Sequence, residues 1–338
     1  MAVVRELPLL LSARVAERHG DALRAAARAG ALELAPIVLP ADPQGRLPAE
    51  RCARIEAAYF SGDLLPDGAR CFFAAALGAP RLRWLQAFNA GVDHPIFARI
   101  VERGVRLTTA AGASAEPIAQ TAIAGLLMLA RGFPRWLDAQ RRRAWEPLPP
   151  DAIPRDLCGQ TLVVLGLGAI GSEIARLARA LGMRVVGVRR GPACGAEPVD
   201  ELVSPARLRE VLPRADWLAI ACPLTEETRG AIDAGALALL PRGARILNVA
   251  RGEIVDESAL TAALRDGRLG GAYLDVFAQE PLPRESPLWT LPNVIATPHN
   301  SAASRGNEAR QVEIFLDNLA RYGRGEPLRN EVARPSGP

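Results

Sequence analysis

The sequence contains no lysine: all 41 basic residues are arginine, set against 37 acids for a formal charge of +4. A basic surplus admits a nucleic-acid partner. Here, however, the arginines alternate with alanine and glutamate along helical stretches such as "RLREVLPRAD" and form no continuous stripe. That pattern belongs to solvated helix faces, so no nucleic acid is expected. Cysteine is also scarce. Cys52, Cys71, Cys158, Cys194 and Cys222 are odd in number and scattered, without CxxC spacing. This argues against a disulfide framework or a metal site and for a reducing, cytoplasmic compartment. No stretch approaches about 20 uninterrupted apolar residues, so no membrane span is expected. The N-terminal "MAVVRELPLLLSARVAERHG" has no basic segment ahead of its apolar run and reads as a first strand and helix, not a signal peptide. Repeats and low-complexity tracts are absent.

What is present is enough for two domains, since 338 residues with 49% apolar content can bury two cores. In the first hundred residues, strands are expected near 35–39, 55–60 and 83–88, with amphipathic helices near 13–29 and 64–78. This alternation implies a small parallel sheet. Its last strand runs into "NAGVDH", a polar loop at a strand's carboxyl end, where ligands of open α/β sheets gather. Residues 115–131 form a strongly apolar helix, explained equally by core packing or by a subunit interface. A Pro- and Arg-rich passage follows through Pro154. A second alternating segment runs from Thr161 to about Pro298, and a last helix is expected near 307–323.

Within the second segment, Gly166, Gly168 and Gly171 make G-x-G-x-x-G after an apolar strand and at the start of a helix. The first glycine permits the tight turn, the second admits a pyrophosphate, and the third allows helix and strand to close-pack. The helix N-terminus offers NH groups and positive dipole to the phosphates. An acid expected after the next strand is missing. No Asp or Glu occurs from Arg184 to Ala196, and Arg189 stands in that place, followed by Arg190. A carboxylate there accepts bonds from both ribose hydroxyls, whereas a guanidinium pairs with a 2′-phosphate. NADP(H) is therefore expected in preference to NAD(H), with two solvated arginines as the alternative.

Three further segments carry groups able to react. "ILNVARGEIVD" sets Arg251 just beyond a strand, "AYLDVFAQEPLP" sets Asp275 on a strand and Glu280 in the loop after it, and "NVIATPHNSAAS" sets His299 behind Pro298. All three fall at the carboxyl edge of the sheet that carries the glycine turn. Only three histidines exist, and His19 in the first helix is expected at the surface.

Taken together, "FNAGVD", "GLGAIG", "CPLTEETRG", "NVARGEIVDESAL", "GAYLDVFAQEPLP", "SPLW", "TPHNSA" and "LRNEV" make the chain resemble the D-isomer-specific 2-hydroxyacid dehydrogenases over nearly its full length. Within that family it resembles the glyoxylate/hydroxypyruvate reductase branch. The resemblance implies that Arg251 holds the substrate carboxylate and polarises the keto oxygen, while His299 exchanges a proton with that oxygen. Glu280 would pair with His299 and favour its charged form. Backbone NH groups of Ala90, Gly91 and Val92 would hold the substrate carboxylate. Besides the glycine turn, Ala169, Ile170, Cys222, Pro223, Thr228, Val249, Ala250 and Asp275 would line the cofactor pocket. Two departures stand out: Gln120 occupies a position where relatives often have Glu, and Asn300 one where an apolar residue is common.

The resemblance further implies two Rossmann-like α/β domains with parallel sheets and an active-site cleft between them. Residues 1–104 with 300–338 would bind substrate, residues 105–299 would bind the cofactor, and the apolar helix with its following arm would build a homodimer. The expected activity is reduction of a small 2-keto acid to its D-2-hydroxy acid. A 3-phosphoglycerate dehydrogenase, or a non-catalytic dinucleotide sensor on the same fold, remains as an alternative.

Overall fold

The computed structural model describes residues 5–332 apart from 41, 43, 44, 93, 192–194 and 196. It divides into two compact units, Met1–Ala113 with Arg305–Pro338, and Ser114–Ser304.

In the first unit, β1 (Arg5–Leu11), β2 (Leu32–Val38), β3 (Ala57–Phe60), β4 (Trp84–Ala87) and β5 (Arg106–Thr109) form a sheet in the order β2-β1-β3-β4-β5. Every pairing is parallel. Strands covered on both faces must be apolar throughout, and Leu7, Leu9, Leu10 and Leu11 of β1 are fully buried. Helix α1 (Ala13–Ala29) starts at Ser12, whose side chain accepts a hydrogen bond from the Val15 NH and so satisfies one of the open first-turn donors. Helices α2 (Ala69–Leu77) and α3 (Pro95–Glu102) complete the alternation. The C-terminal helix, Asn307–Arg324, lays Val312, Phe315 and Leu319 into the core that contains Leu7, Leu9 and Trp84. Phe315 stacks on Tyr59 at 4.2 Å.

In the second unit, β6 (Thr161–Leu165), β7 (Arg184–Val188), β8 (Glu201–Val203), β9 (Trp217–Ile220), β10 (Arg245–Asn248), β11 (Gly271–Leu274) and β12 (Val294–Ala296) lie in the order β12-β11-β10-β9-β6-β7-β8. The chain leaves β6 toward one edge and resumes at β9 toward the other. Ligands of doubly wound sheets bind at such a reversal, beyond the strands' carboxyl ends. Helices α4 (Ala115–Arg131), α5 (Phe133–Arg141), α6 (Ala169–Ala180), α7 (Ala234–Leu239) and α8 (Glu257–Arg265) connect and cover the sheet. Core packing accounts for most of the apolar face of α4: Ala119, Ala122 and Leu126 are buried with Val164, Ala175 and Tyr273. Gln120, Ala124 and Arg131 remain exposed.

Several expectations need correction. The division falls after Ala113 and after Ser304, not after 104 and 299. The strand Arg106–Thr109 hydrogen-bonds to β4 and so belongs to the first sheet. The strand expected at 35–39 begins earlier, at Leu32, because it pairs along the whole of β1. Asp275 stands just past the end of β11 rather than on it. The Pro- and Arg-rich passage after α4, for which no element was expected, includes α5, with Pro134 in its first turn, where a missing NH costs nothing.

Candidate active site

The glycine turn follows β6 at the point where the strand order reverses. Gly166 has φ +97°, and a Cβ on it would lie 2.6 Å from the backbone of Cys222, just past β9. Only glycine combines that dihedral with that approach. Gly171 is packed directly against the Gly166 carbonyl, which lets α6 close onto the turn. Gly168 differs: a Cβ there would meet nothing within 4 Å, and Ala169 and Ile170 open α6 beside it. Open space over a helix N-terminus suits the pyrophosphate of a dinucleotide, so the residues fit the group that the motif implies.

Around the turn, Thr228 donates to the Pro223 carbonyl at 2.7 Å and accepts from the Thr225 NH at 2.7 Å, bracing the loop after β9. Val249 and Ala250 follow β10 and are buried. Burial pushes the Cys222 thiol up to about 11, which makes it a packing residue and not a nucleophile.

The two arginines after β7 differ. Arg190 is largely exposed and stands 3.8 Å from an equally exposed Glu227. Arg189 is ion-paired: its Nη1 lies 2.9 Å from Oε1 of Glu197, a carboxylate with only 7% side-chain exposure. The acid absent from the expected stretch thus lies one residue beyond it and touches the arginine. Sequence spacing alone could not show this.

Arg251, Glu280 and His299 follow the adjacent strands β10, β11 and β12. Arg251 precedes Gly252, and a Cβ on Gly252 would overlap the backbone at Phe277 and Ala278. The arginine loop therefore rests directly on the loop that carries Glu280. Arg251 Nη1 donates to the Ala250 carbonyl at 2.7 Å, and buried Asn248 holds the turn by donating to the Arg251 carbonyl at 3.0 Å. Glu280 uses both oxygens: Oε1 accepts from the Phe277 NH at 3.0 Å, and Oε2 lies 2.7 Å from His299 Nδ1. His299 has φ +50°, a left-handed conformation uncommon for any residue other than glycine. Such strain persists only where surroundings enforce it, and it clusters at functional sites.

Asp275, 1% exposed, supplies the enforcement. Its carboxylate accepts from Thr297 Oγ1, from the Asn300 NH and from the Ser301 NH and hydroxyl. Its backbone carbonyl accepts from the His299 NH at 2.8 Å. Asn300 therefore contributes its backbone here. Gln120 spends its side chain on Glu116, at 3.0 Å.

The other histidines are occupied elsewhere. His94 caps α3, its Nδ1 accepting from the Ile96 NH at 3.2 Å, and His19 contacts Glu308 at 3.4 Å. Ala90, Gly91 and Val92 lie in the loop after β4 of the first unit, where the Asn89 amide donates to the Gly91 carbonyl. A cavity of about 400 Å³ in the second unit opens at the opposite, amino edge of the sheet, among Arg131, Asp216 and Arg245, and touches none of these residues. Among the described residues, no group of three or more His, Cys, Asp or Glu could hold a metal ion, and no helix is long and apolar enough to cross a membrane.

Residues 123–301 match the model of a family described as D-isomer specific 2-hydroxyacid dehydrogenase, NAD binding domain. The chain is 35% identical over 267 residues to a glyoxylate reductase of Korarchaeum cryptofilum, covering 75% of this chain and 77% of that one. It is 34% identical over 266 residues to a D-3-phosphoglycerate dehydrogenase of Methanocaldococcus jannaschii, covering 77% of this chain but 49% of that longer one. Among solved structures, it resembles a D-isomer specific 2-hydroxyacid dehydrogenase from Xanthobacter autotrophicus in complex with NADPH, with TM-score 0.75, 32% identity and coverage of 97% and 98%.

Proposed function

The chain belongs to the D-isomer-specific 2-hydroxyacid dehydrogenase family and is an NAD(P)-dependent oxidoreductase; from that premise we propose that it reduces a small 2-keto acid of the glyoxylate or hydroxypyruvate kind. The observation that supports this most is the 2.7 Å contact between Glu280 and His299, beyond β11 and β12, next in the sheet to β10, which delivers Arg251. Arg251 pairs with the substrate carboxylate and draws electron density from the 2-keto oxygen through its fork of donors. His299, with Nδ1 on Glu280, gives its Nε2 proton to that oxygen. The bound nicotinamide supplies the hydride. A spectrophotometric screen of glyoxylate, hydroxypyruvate and 3-phosphohydroxypyruvate with each reduced cofactor tests the reading. Turnover of the phosphorylated acid alone favours the 3-phosphoglycerate reading, and cofactor binding without any turnover defeats the enzymatic one.

We further propose that NADPH is preferred, with Arg189 meeting the 2′-phosphate. A hydrogen bond to a charged group contributes roughly 1.5–3 kcal/mol, or about tenfold and upward. Glu197 already engages one end of the guanidinium and adds an opposing charge, so the lower part of a range of about 10- to 100-fold in kcat/KM is expected. Arg189→Asp would set a second carboxylate beside Glu197, which makes Arg189→Ser the cleaner variant. It should lose most of the NADPH advantage and leave NADH efficiency within about twofold. Equal wild-type efficiencies with the two cofactors would refute the assignment.

A homodimer and a reducing, cytoplasmic setting complete the proposal. Phe133, Leu137, Trp145 and Ile153 are exposed along and after α5, with Trp145 97% exposed. Apolar groups so concentrated on one arm suit an interface with a second copy. Trp145→Glu should weaken self-association about 30-fold or more, the scale of a lost aromatic anchor. Sedimentation over a dilution series reads the change, and an unaltered profile would remove Trp145 from the interface.

A further inference from the structure

Tyr273 is among the largest fully buried side chains, yet it carries a hydroxyl in the middle of an otherwise apolar strand. Its ring packs on α4 at Gly125, where any Cβ would overlap the ring. Its hydroxyl lies 2.9 Å from Thr297 Oγ1, which lies 2.6 Å from Asp275 Oδ1. A threonine hydroxyl has one proton and a carboxylate can only accept, so Thr297 donates to Asp275 and Tyr273 donates to Thr297. Burial pushes the Tyr273 phenol up to about 12, so it remains a donor at neutral pH. The relay ends on the carboxylate that holds residues 297, 300 and 301, on both sides of the left-handed His299.

We propose that Tyr273 and Thr297 are positioning residues for proton transfer: their hydroxyls orient Asp275, and Asp275 fixes the turn that holds the His299 ring on Glu280. Neither touches the reacting atoms, and a fully buried phenylalanine would fill the same space against Gly125. The oxygen of Tyr273 acts only through Thr297. The proposal rests on His299 being the acid.

The test compares Tyr273→Phe, Thr297→Val, Thr297→Ser and the double variant Tyr273→Phe/Thr297→Val in steady-state reduction of the best 2-keto acid. Melting temperature and cofactor Kd are followed in parallel. Tyr273→Phe should lower kcat about 2- to 12-fold, the net worth of one neutral hydrogen bond. Thr297→Val should lower it about 10- to 100-fold, since it orphans a buried phenol and strips one donor from Asp275. KM and cofactor Kd should stay within about twofold, and Thr297→Ser should restore most of the rate. The double variant should be no slower than Thr297→Val alone, because groups acting in series are not additive. Additive losses, losses confined to KM, or a lower melting temperature with wild-type kcat would each overturn the proposal. Should Thr297→Val not fold, Tyr273→Phe carries the test, since it deletes one oxygen and no packing. If His299→Gln is inactive while Tyr273→Phe matches wild type, this inference alone fails. If His299→Gln keeps its turnover, the functional reading fails first.

Discussion

His299→Gln should lower kcat for 2-keto acid reduction by about 10²–10⁴, the range for losing a positioned acid. Glutamine can still accept or donate a hydrogen bond, but it brings no proton that it can give up. The carboxylate 2.7 Å from Nδ1 orients the ring for transfer from Nε2, and that arrangement disappears with the ring. Backbone strain has to be separated from chemistry. At φ +50° histidine, asparagine and aspartate are tolerated better than most residues, so His299→Asn serves as the backbone-matched control. Both variants should be comparably slow, and cofactor Kd should barely move. Turnover near wild type in either would take His299 out of the mechanism.

The parts of this site that were legible in the sequence share one property: each is set by local chemistry. G-x-G-x-x-G after an apolar strand, and Arg251, Glu280 and His299 just past strands, follow from chain-local patterns. So do α1 at 13–29 and α4 at 115–131, whose apolar patterns coincide with the observed ends. What escaped depends on partners brought from a distance. The Arg189–Glu197 pair joins residues on either side of the sequence "GPACGA", which has no periodicity from which the contact could be read. The Tyr273–Thr297–Asp275 relay exists because β11 and β12 pair in the register that sets Tyr273 opposite Ile295, two residues before Thr297. A shift of one residue would turn the phenol to the other face. The strand Arg106–Thr109 is four residues long and has no pattern of its own, so only its bonds to β4 reveal it.

Arg251→Lys should be the second most damaging change, lowering kcat/KM by about 10²–10³, although the charge is kept. Removing one donor aimed at a developing oxyanion costs about that much, and lysine replaces a rigid planar fork with a mobile point charge. The local structure makes the exchange worse. One guanidinium nitrogen is already committed to the Ala250 carbonyl at 2.7 Å, which sets the plane of the fork. The loop below cannot shift to compensate, because Gly252 has no room against Phe277 and Ala278. An ammonium can satisfy the carbonyl or reach the substrate, and it cannot hold the geometry for both. The loss should fall on kcat as well as KM, since polarising the keto oxygen matters most where negative charge builds. Cofactor Kd and melting temperature should be unchanged within error. A variant whose defect lies wholly in KM would reduce Arg251 to a carboxylate anchor, and near-normal kcat/KM would make it a structural residue.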